Sequence, residues 1–89
     1  MDWVVFAWLK RGSRRKSILK LLCDSSSPLS ANEIKNKLNI SLSQVSFSLK
    51  ELCEKELIEC LNPQDNIGKI YIISSKGSDL MNLLIQSEN

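Results

Sequence analysis

Two helix-start signals, set one short helix apart, constrain this chain more than any other feature. In SANEIKNKLN, Ser30 and Glu33 satisfy the S-x-x-E capping box, and in SLSQVSFSLKELCEKE, Ser41 and Gln44 satisfy its S-x-x-Q form. In such a box the serine hydroxyl accepts from the backbone N–H three residues on. The Glu or Gln reaches back to the serine's own N–H, so two donors that a helix start leaves orphaned are satisfied together. One helix therefore starts at Ala31, carries an apolar stripe from Ile34 and Leu38, and stops near Asn39, a residue that tolerates the left-handed conformation just past a helix end. The next starts at Leu42.

A short capped helix, a turn of roughly three residues and a longer capped helix make the signature of a helix-turn-helix. Upstream, Ser13 is placed to cap a helix from about Arg14 to Cys23, in which Ile18, Leu21 and Leu22 recur at helical spacing before DSSSP ends it. Downstream the pattern changes to LIECL, NPQDNIG and KIYII, two β-rich runs around a loop with Pro, Asp-Asn and Gly turn signals, which is a β-hairpin. Ser75 and Gly77 then lead into a closing helix marked by Leu80, Leu83 and Leu84. The expected fold is mainly α with a small β-hairpin (α+β). Its order is helix, helix, helix, hairpin wing, helix, the winged helix-turn-helix, preceded by an apolar N-terminal segment.

Eighty-nine residues, 43% apolar and 25% charged, make one globular domain spanning 1–89 with a single core. The chemistry classes that the chain lacks are informative. There is no histidine, no Gly-rich phosphate loop and no nucleophile paired with a base, so an enzyme is not expected, and neither is a cofactor. Cys23, Cys53 and Cys60 include no C-x-x-C pair and fall short of the four ligands of a tetrahedral zinc site, so no metal is expected and the three read as core thiols. The run WVVFAWL at 3–9 is too short to cross a bilayer, which takes about 20 residues. Its positive charge follows it, where a secretory leader would carry charge in front, so the expectation is a cytoplasmic chain that does not engage membranes.

Charge is distributed unevenly. The net value is +2, yet Lys10, Arg11, Arg14, Arg15, Lys16 and Lys20 stand against Asp2 alone in the first 22 residues, and no arginine lies beyond Arg15. An electrostatic footprint for a polyanion is therefore concentrated near the N-terminus; the same charges also suit a merely solvated face. Arg14, Arg15 and Lys16 fall in the first turn of their helix, where positive charge opposes the helix dipole, so an anion or a nearby acid is needed to make that placement favourable.

Along the helix from Leu42, an advance of 100° per residue gathers Leu42, Val45, Leu49, Leu52 and Cys53 into one buried stripe. Ser43, Gln44, Phe47, Lys50, Glu51 and Glu54 face outward. An aromatic ring in the middle of an exposed face either meets a partner or folds back over the wing.

The phrases RRKSILKLL, LSANEIKNKLNISLSQVSFSLKELCEKELIE and GKIYIISSKG together resemble the winged-helix regulators of the ArsR and MarR type, particularly the small archaeal members. The resemblance covers roughly residues 8–80. It implies a transcription regulator that binds double-stranded DNA, with the helix from Leu42 in the major groove and the wing on the adjacent backbone. On that reading Phe47 meets a thymine methyl or a sugar, Gln44 an adenine edge, Ser43 a base or a phosphate, and Lys50 a phosphate. Ser41, Arg14, Arg15, Lys16, Asn66 and Lys69 complete the expected contacts. Glu51, Glu54 and Glu56 repel phosphate and confine contact to the first half of the helix. Where such regulators often carry Gly after this helix, the chain has Glu56, at a cost of about 1 kcal/mol if a left-handed conformation is required there.

The N-terminal run is apolar on every side if it is helical, and so small a domain covers only one side with its own core. Trp3, Val4, Phe6, Ala7 and Trp8 then form the interface of a homodimer, with residues 1–12 as the dimerisation segment. The alternative is that the segment folds back wholly onto its own domain. No sensing site is evident, so an effector stays unknown. The competing use of the fold is protein–protein assembly without DNA, favoured by the low net charge and the acidic second half of the helix from Leu42.

Overall fold

Both capping boxes form. Ser30 Oγ accepts from the Glu33 N–H at 3.2 Å while Glu33 Oε1 accepts from the Ser30 N–H at 2.9 Å, and Ser41 and Gln44 exchange the same bonds at 3.2 and 3.3 Å. The bonds from Ser30, backbone first, hold the Glu33 carboxyl below its ordinary pKa. The computed structural model describes residues 2–88. Its elements are α1 (Trp3–Arg11), α2 (Ser13–Asp24), β1 (Leu29–Ser30), α3 (Ala31–Leu38), α4 (Leu42–Glu54), β2 (Ile58–Cys60), β3 (Ile70–Ile73) and α5 (Ser75–Glu88).

The fold class and element order are those expected from the sequence, with two additions. The apolar N-terminal run is helical, and β1 joins the hairpin to give an antiparallel sheet in the order β1-β3-β2. Leu29 stands opposite Tyr71, and Cys60 opposite the same residue on the other side. At two residues β1 is too short to carry a period-2 pattern, so nothing local announces it.

Four expectations need correction. Ser13 does not cap α2: it is the first helical residue, and Gly12, extended at φ −109°, takes the N-cap position without a side-chain bond. The reason is α1, which runs to Arg11 and leaves a single residue to join the two helices. The α2 stripe is Ile18, Leu19 and Leu22, with Leu21 only half-buried. On α4, Leu42 is 43% exposed and Ser48 takes a place in the stripe with Val45, Leu49 and Leu52. Ser48 lines the same cleft as Gly12 and Ser13 of the α1–α2 joint. Finally, α5 starts at Ser75, ahead of the stretch that marked it, and buries Gly77, Leu80, Met81 and Leu84 with Leu83 half-covered. Leu9, Ile18, Leu19, Ile34, Val45, Leu52 and Leu57 are fully enclosed with them, so every helix contributes to one core.

Glu56 adopts the left-handed conformation at φ +63°. Its N–H donates to Cys53 C=O and the Leu57 N–H donates to Leu52 C=O, both at 3.0 Å, the two bonds of a Schellman stop, with Leu52 and Leu57 burying the accompanying apolar contact. Glu is strained in this conformation and Gly is not. Glu56→Gly is therefore expected to raise stability by about 1 kcal/mol, read as a higher urea midpoint at unchanged m-value. A lower midpoint would mean that the Glu56 side chain contributes more than its backbone strain costs.

Candidate nucleic-acid interface

The outward face of α4 is open from its cap onward. Ser41, Ser43, Gln44, Phe47 and Lys50 are all exposed, and Phe47 keeps 60% of its surface in water. A helix start directs unpaired N–H groups and the positive end of its dipole outward, so this half of α4 suits an anionic partner. Glu51 and Glu54 follow on the same helix and reverse the sign.

Three hollows surround this face. One, of about 350 Å³, lies between Phe47, Ser48 and the acid Glu51 on one side and Arg11, Arg14 and Arg15 on the other. A second, also about 350 Å³, runs from Gln44 past Ile40 and Leu38 to Arg14, Ser13 and Ser17. The third, about 260 Å³, separates Leu42 and Ser46 from Asn66 and Lys69 of the wing. Arg14 thus borders Gln44 and Phe47 alike, and Phe47 lies on the side of α2 rather than over the wing. Arg11 belongs to the same group but was not among the expected contacts. It sits in the basic run that drew attention to its neighbours, and only the tight α1–α2 joint reveals that it turns to α4.

The other two members of the basic cluster are tied to partners within the fold, Arg15 at the edge of the first hollow. Arg15 donates to the Trp8 carbonyl through Nε at 2.8 Å and also through Nη2, and its guanidinium lies 4.1 Å from the centroid of the Trp8 ring. That carbonyl belongs to the last turn of α1, so the negative end of the α1 dipole supplies the partner that a cation in the first turn of α2 needs. Lys16 faces α5, with Nζ 3.6 Å from a Glu88 carboxylate oxygen.

Gln44 has a divided role. Its Oε1 is held by the Ser41 N–H, which leaves the amide nitrogen as the group directed outward. In the wing, Asn66 is exposed and Lys69 half-buried. The loop is organised by a residue that the sequence did not single out, Asn62. Its Nδ2 donates to Asp65 Oδ2 at 2.9 Å and to Gly68 C=O at 3.1 Å, and its Oδ1 accepts from the Ile70 N–H at 2.8 Å.

On α1, Val5 and Leu9 are buried, Phe6 and Trp8 pack half-buried against the core, and Trp3, Val4 and Ala7 face out. Trp3 and Val4 are 64% and 79% exposed. One side of the helix is therefore covered and the other is bare, and of the five expected interface residues Phe6 and Trp8 contribute largely to their own domain. The three cysteines are free and half-buried. Burial, with nearby Cys60 and Glu54 adding to it, pushes the Cys53 thiol above its ordinary pKa, the state of an unreactive thiol. Among the described residues no cluster of metal-binding side chains occurs, and no helix is long and apolar enough to cross a membrane.

The profile of a family described as "Bacterial regulatory protein, arsR family" matches residues 12–59, from the α1–α2 joint through the helix-turn-helix into β2. The chain belongs to the arsR family. It is accordingly built as a regulator's helix-turn-helix domain and not as an enzyme. Its fold is that of the MarR-type winged helices. A MepR variant from S. aureus superposes with a TM-score of 0.78 at 23% identity, over 92% of this chain and 61% of that one. Wild-type MarR from E. coli gives 0.77 at 21% identity, over 90% and 59%. A MarR/EmrR family regulator from Acinetobacter sp. ADP1 gives 0.75 at 22% identity, over 92% and 60%. The arsR-family chain thus spans at most about three fifths of the length of these three proteins. A search of the curated proteins finds no match.

Proposed function

We propose that this arsR-family domain binds double-stranded DNA as a sequence-specific transcription regulator, with the first half of α4 in the major groove and the wing on the neighbouring backbone. The observation that carries this is the placement of Arg11 and Arg14 against the exposed N-terminal half of α4, around Phe47 and Gln44. Cations there reach phosphates on the groove wall while Ser43, Gln44 and Phe47 face base edges, a division between positioning and reading. Lys50 serves the backbone.

Titration of labelled duplexes at several salt concentrations tests it. Binding through phosphates gives log K falling linearly with log salt; absence of duplex affinity would favour the second reading, in which the exposed Phe47 and the acidic second half of α4 meet a protein. Gln44→Glu sharpens the test, because Glu at this position keeps the capping box and exchanges the outward amide donor for an anionic acceptor. The expected result is a loss of about 1 kcal/mol on the preferred duplex relative to random sequence, at an unchanged melting temperature. An equal loss on every duplex would instead mark the added charge, not a lost base contact.

We also propose that the chain pairs with a second copy through the bare side of α1. Trp3, Val4 and Ala7 lie there together, and Trp3 stands edge-on to Phe6 at 5.7 Å, an aromatic patch of the kind that interfaces bury. A two-fold pair presents two α4 helices to successive turns of a duplex, about 34–36 Å apart. Deleting the segment would remove Val5 and Leu9 from the core, so the test is substitution: Val4→Glu combined with Trp3→Ser is expected to yield a folded monomer in sedimentation equilibrium. A folded double variant that stays dimeric would move the interface elsewhere.

A further inference from the structure

An antiparallel sheet with one face on a core and the other in water alternates apolar and polar residues along its strands. β3 does not. Its residues are Ile70, Tyr71, Ile72 and Ile73, and successive side chains of a strand point to opposite faces. Tyr71 and Ile73 pack against the core, as do Leu29 and Ile58 beside them, so Ile70 and Ile72 share the outer face. The register extends that face onto β2. Glu59 stands opposite Ile72, and the Leu61 N–H donates to Ile70 C=O at 2.9 Å, which sets Leu61 level with Ile70. Leu61 is 48% exposed, and Ile70 and Ile72 are half-buried although neither belongs to the core. The result is a contiguous aliphatic face on the central and one edge strand of the sheet, with a single carboxylate at its margin. The sheet packs on α2, α3 and α4, whereas α1 packs on α2 and α5, so a pair joined through α1 leaves this face open on both copies.

Three aliphatic side chains, two of them partly covered, offer far less than the roughly 800 Å² a side that a stable complex buries. Such a patch does not capture a partner from dilute solution. It does hold a neighbour that something else has already brought alongside, because tethering raises the local concentration to the millimolar range. A duplex does this for copies on adjacent sites. We propose that the outer face of the wing sheet is the contact between neighbouring copies on one duplex, so that adjacent sites are occupied cooperatively. This rests on the DNA-binding reading given above. The occupant is a second copy presenting the same face: Leu61, Ile70 and Ile72 meet their counterparts, and Glu59 of each copy stays in water at the margin.

The experiment takes a site enriched by the wild-type chain from a randomised pool and places it once or twice on a duplex, the two sites separated by spacers stepped through one helical turn. At the best spacing the wild type is expected to bind the second site about tenfold more tightly than the first, and to lose that advantage when the sites turn to opposite sides of the duplex. Leu61→Gln and Ile72→Thr add no charge, and threonine remains a good strand former. Both are expected to bind the single site as the wild type does and to fill two sites independently. If the wild type fills two sites independently at every spacing, or if the variants keep the cooperativity, the proposal is overturned while DNA binding stands. A variant that loses single-site affinity places the face against DNA, and one that changes the sedimentation of the free chain places it in the solution pair; either result also overturns the proposal. If no duplex is enriched at all, the underlying reading fails first and this contact with it. Leu61→Gln alters an exposed side chain, so it carries the test even where Ile72→Thr unfolds.

Discussion

Gly77→Ala is expected to destabilise the domain by about 2–3 kcal/mol, although alanine is the better helix former by about 1 kcal/mol. A β-carbon at Gly77 would stand 2.1 Å from the Leu57 carbonyl oxygen and 2.9 Å from its carbon. The obstacle is backbone, and that backbone is pinned. Leu57 C=O accepts the Ser74 N–H at 3.0 Å, and Leu57 N–H closes the stop of α4. The Ser74 hydroxyl donates to Glu56 C=O at 2.7 Å and accepts the Gly77 N–H at 3.0 Å. Relief requires the end of α4 and the start of α5 to separate, which breaks several of these bonds together. For a domain of this size the loss corresponds to a fall in melting temperature on the order of 10 °C or more, measured at equal protein concentration because self-association would shift the value. A melting temperature within about 2 °C of the wild type would show that the joint adapts without cost.

Two neighbouring arginines are expected to separate cleanly by role. Arg15→Gln removes both bonds to the Trp8 carbonyl and the stacking on its ring. Stability is expected to fall by about 2 kcal/mol, with the salt dependence of duplex binding kept. Arg14→Gln, on an exposed side chain, is expected to leave stability within about 0.5 kcal/mol and to reduce the salt slope by about one phosphate contact. Chemical denaturation and salt titrations of both variants give the comparison. Should Arg15→Gln melt normally and lose salt slope, its guanidinium leaves Trp8 for a phosphate when DNA is present.

What was legible in the sequence is what depends on short range. The capping boxes at Ser30 and Ser41, the left-handed Asn39, the hairpin and the outward position of Phe47 are each set by residues within a few positions of one another. What was not legible depends on packing across the chain. Nothing near Leu29 signals that it pairs with Tyr71, and nothing near Ser48 signals that a serine lies buried in the α4 stripe. The first turn of α2 shows the difference most sharply. Three cations in a row gave a correct problem, the unfavourable dipole, but its solution for Arg15 is the carbonyl end of another helix, visible only once α1 is in place.

On the proposed DNA-binding reading, the two-sided character of Gln44 also limits how such a domain changes the sequence it prefers. Phe47 and Lys50 take no part in the side-chain bonds of the α4 start, and Ser43 joins only through a 3.3 Å hydroxyl contact with Ser41 Oγ outside the box, so these positions are open to wider exchange than position 44 with little consequence for folding. Position 44 is the constrained one. Only Gln and Glu complete the box with Ser41, so its alphabet has two letters, an amide donor and an anion that a phosphate-lined groove repels. Libraries built on this scaffold to obtain new target sequences would therefore be expected to diversify at 43, 47 and 50 while returning glutamine at 44.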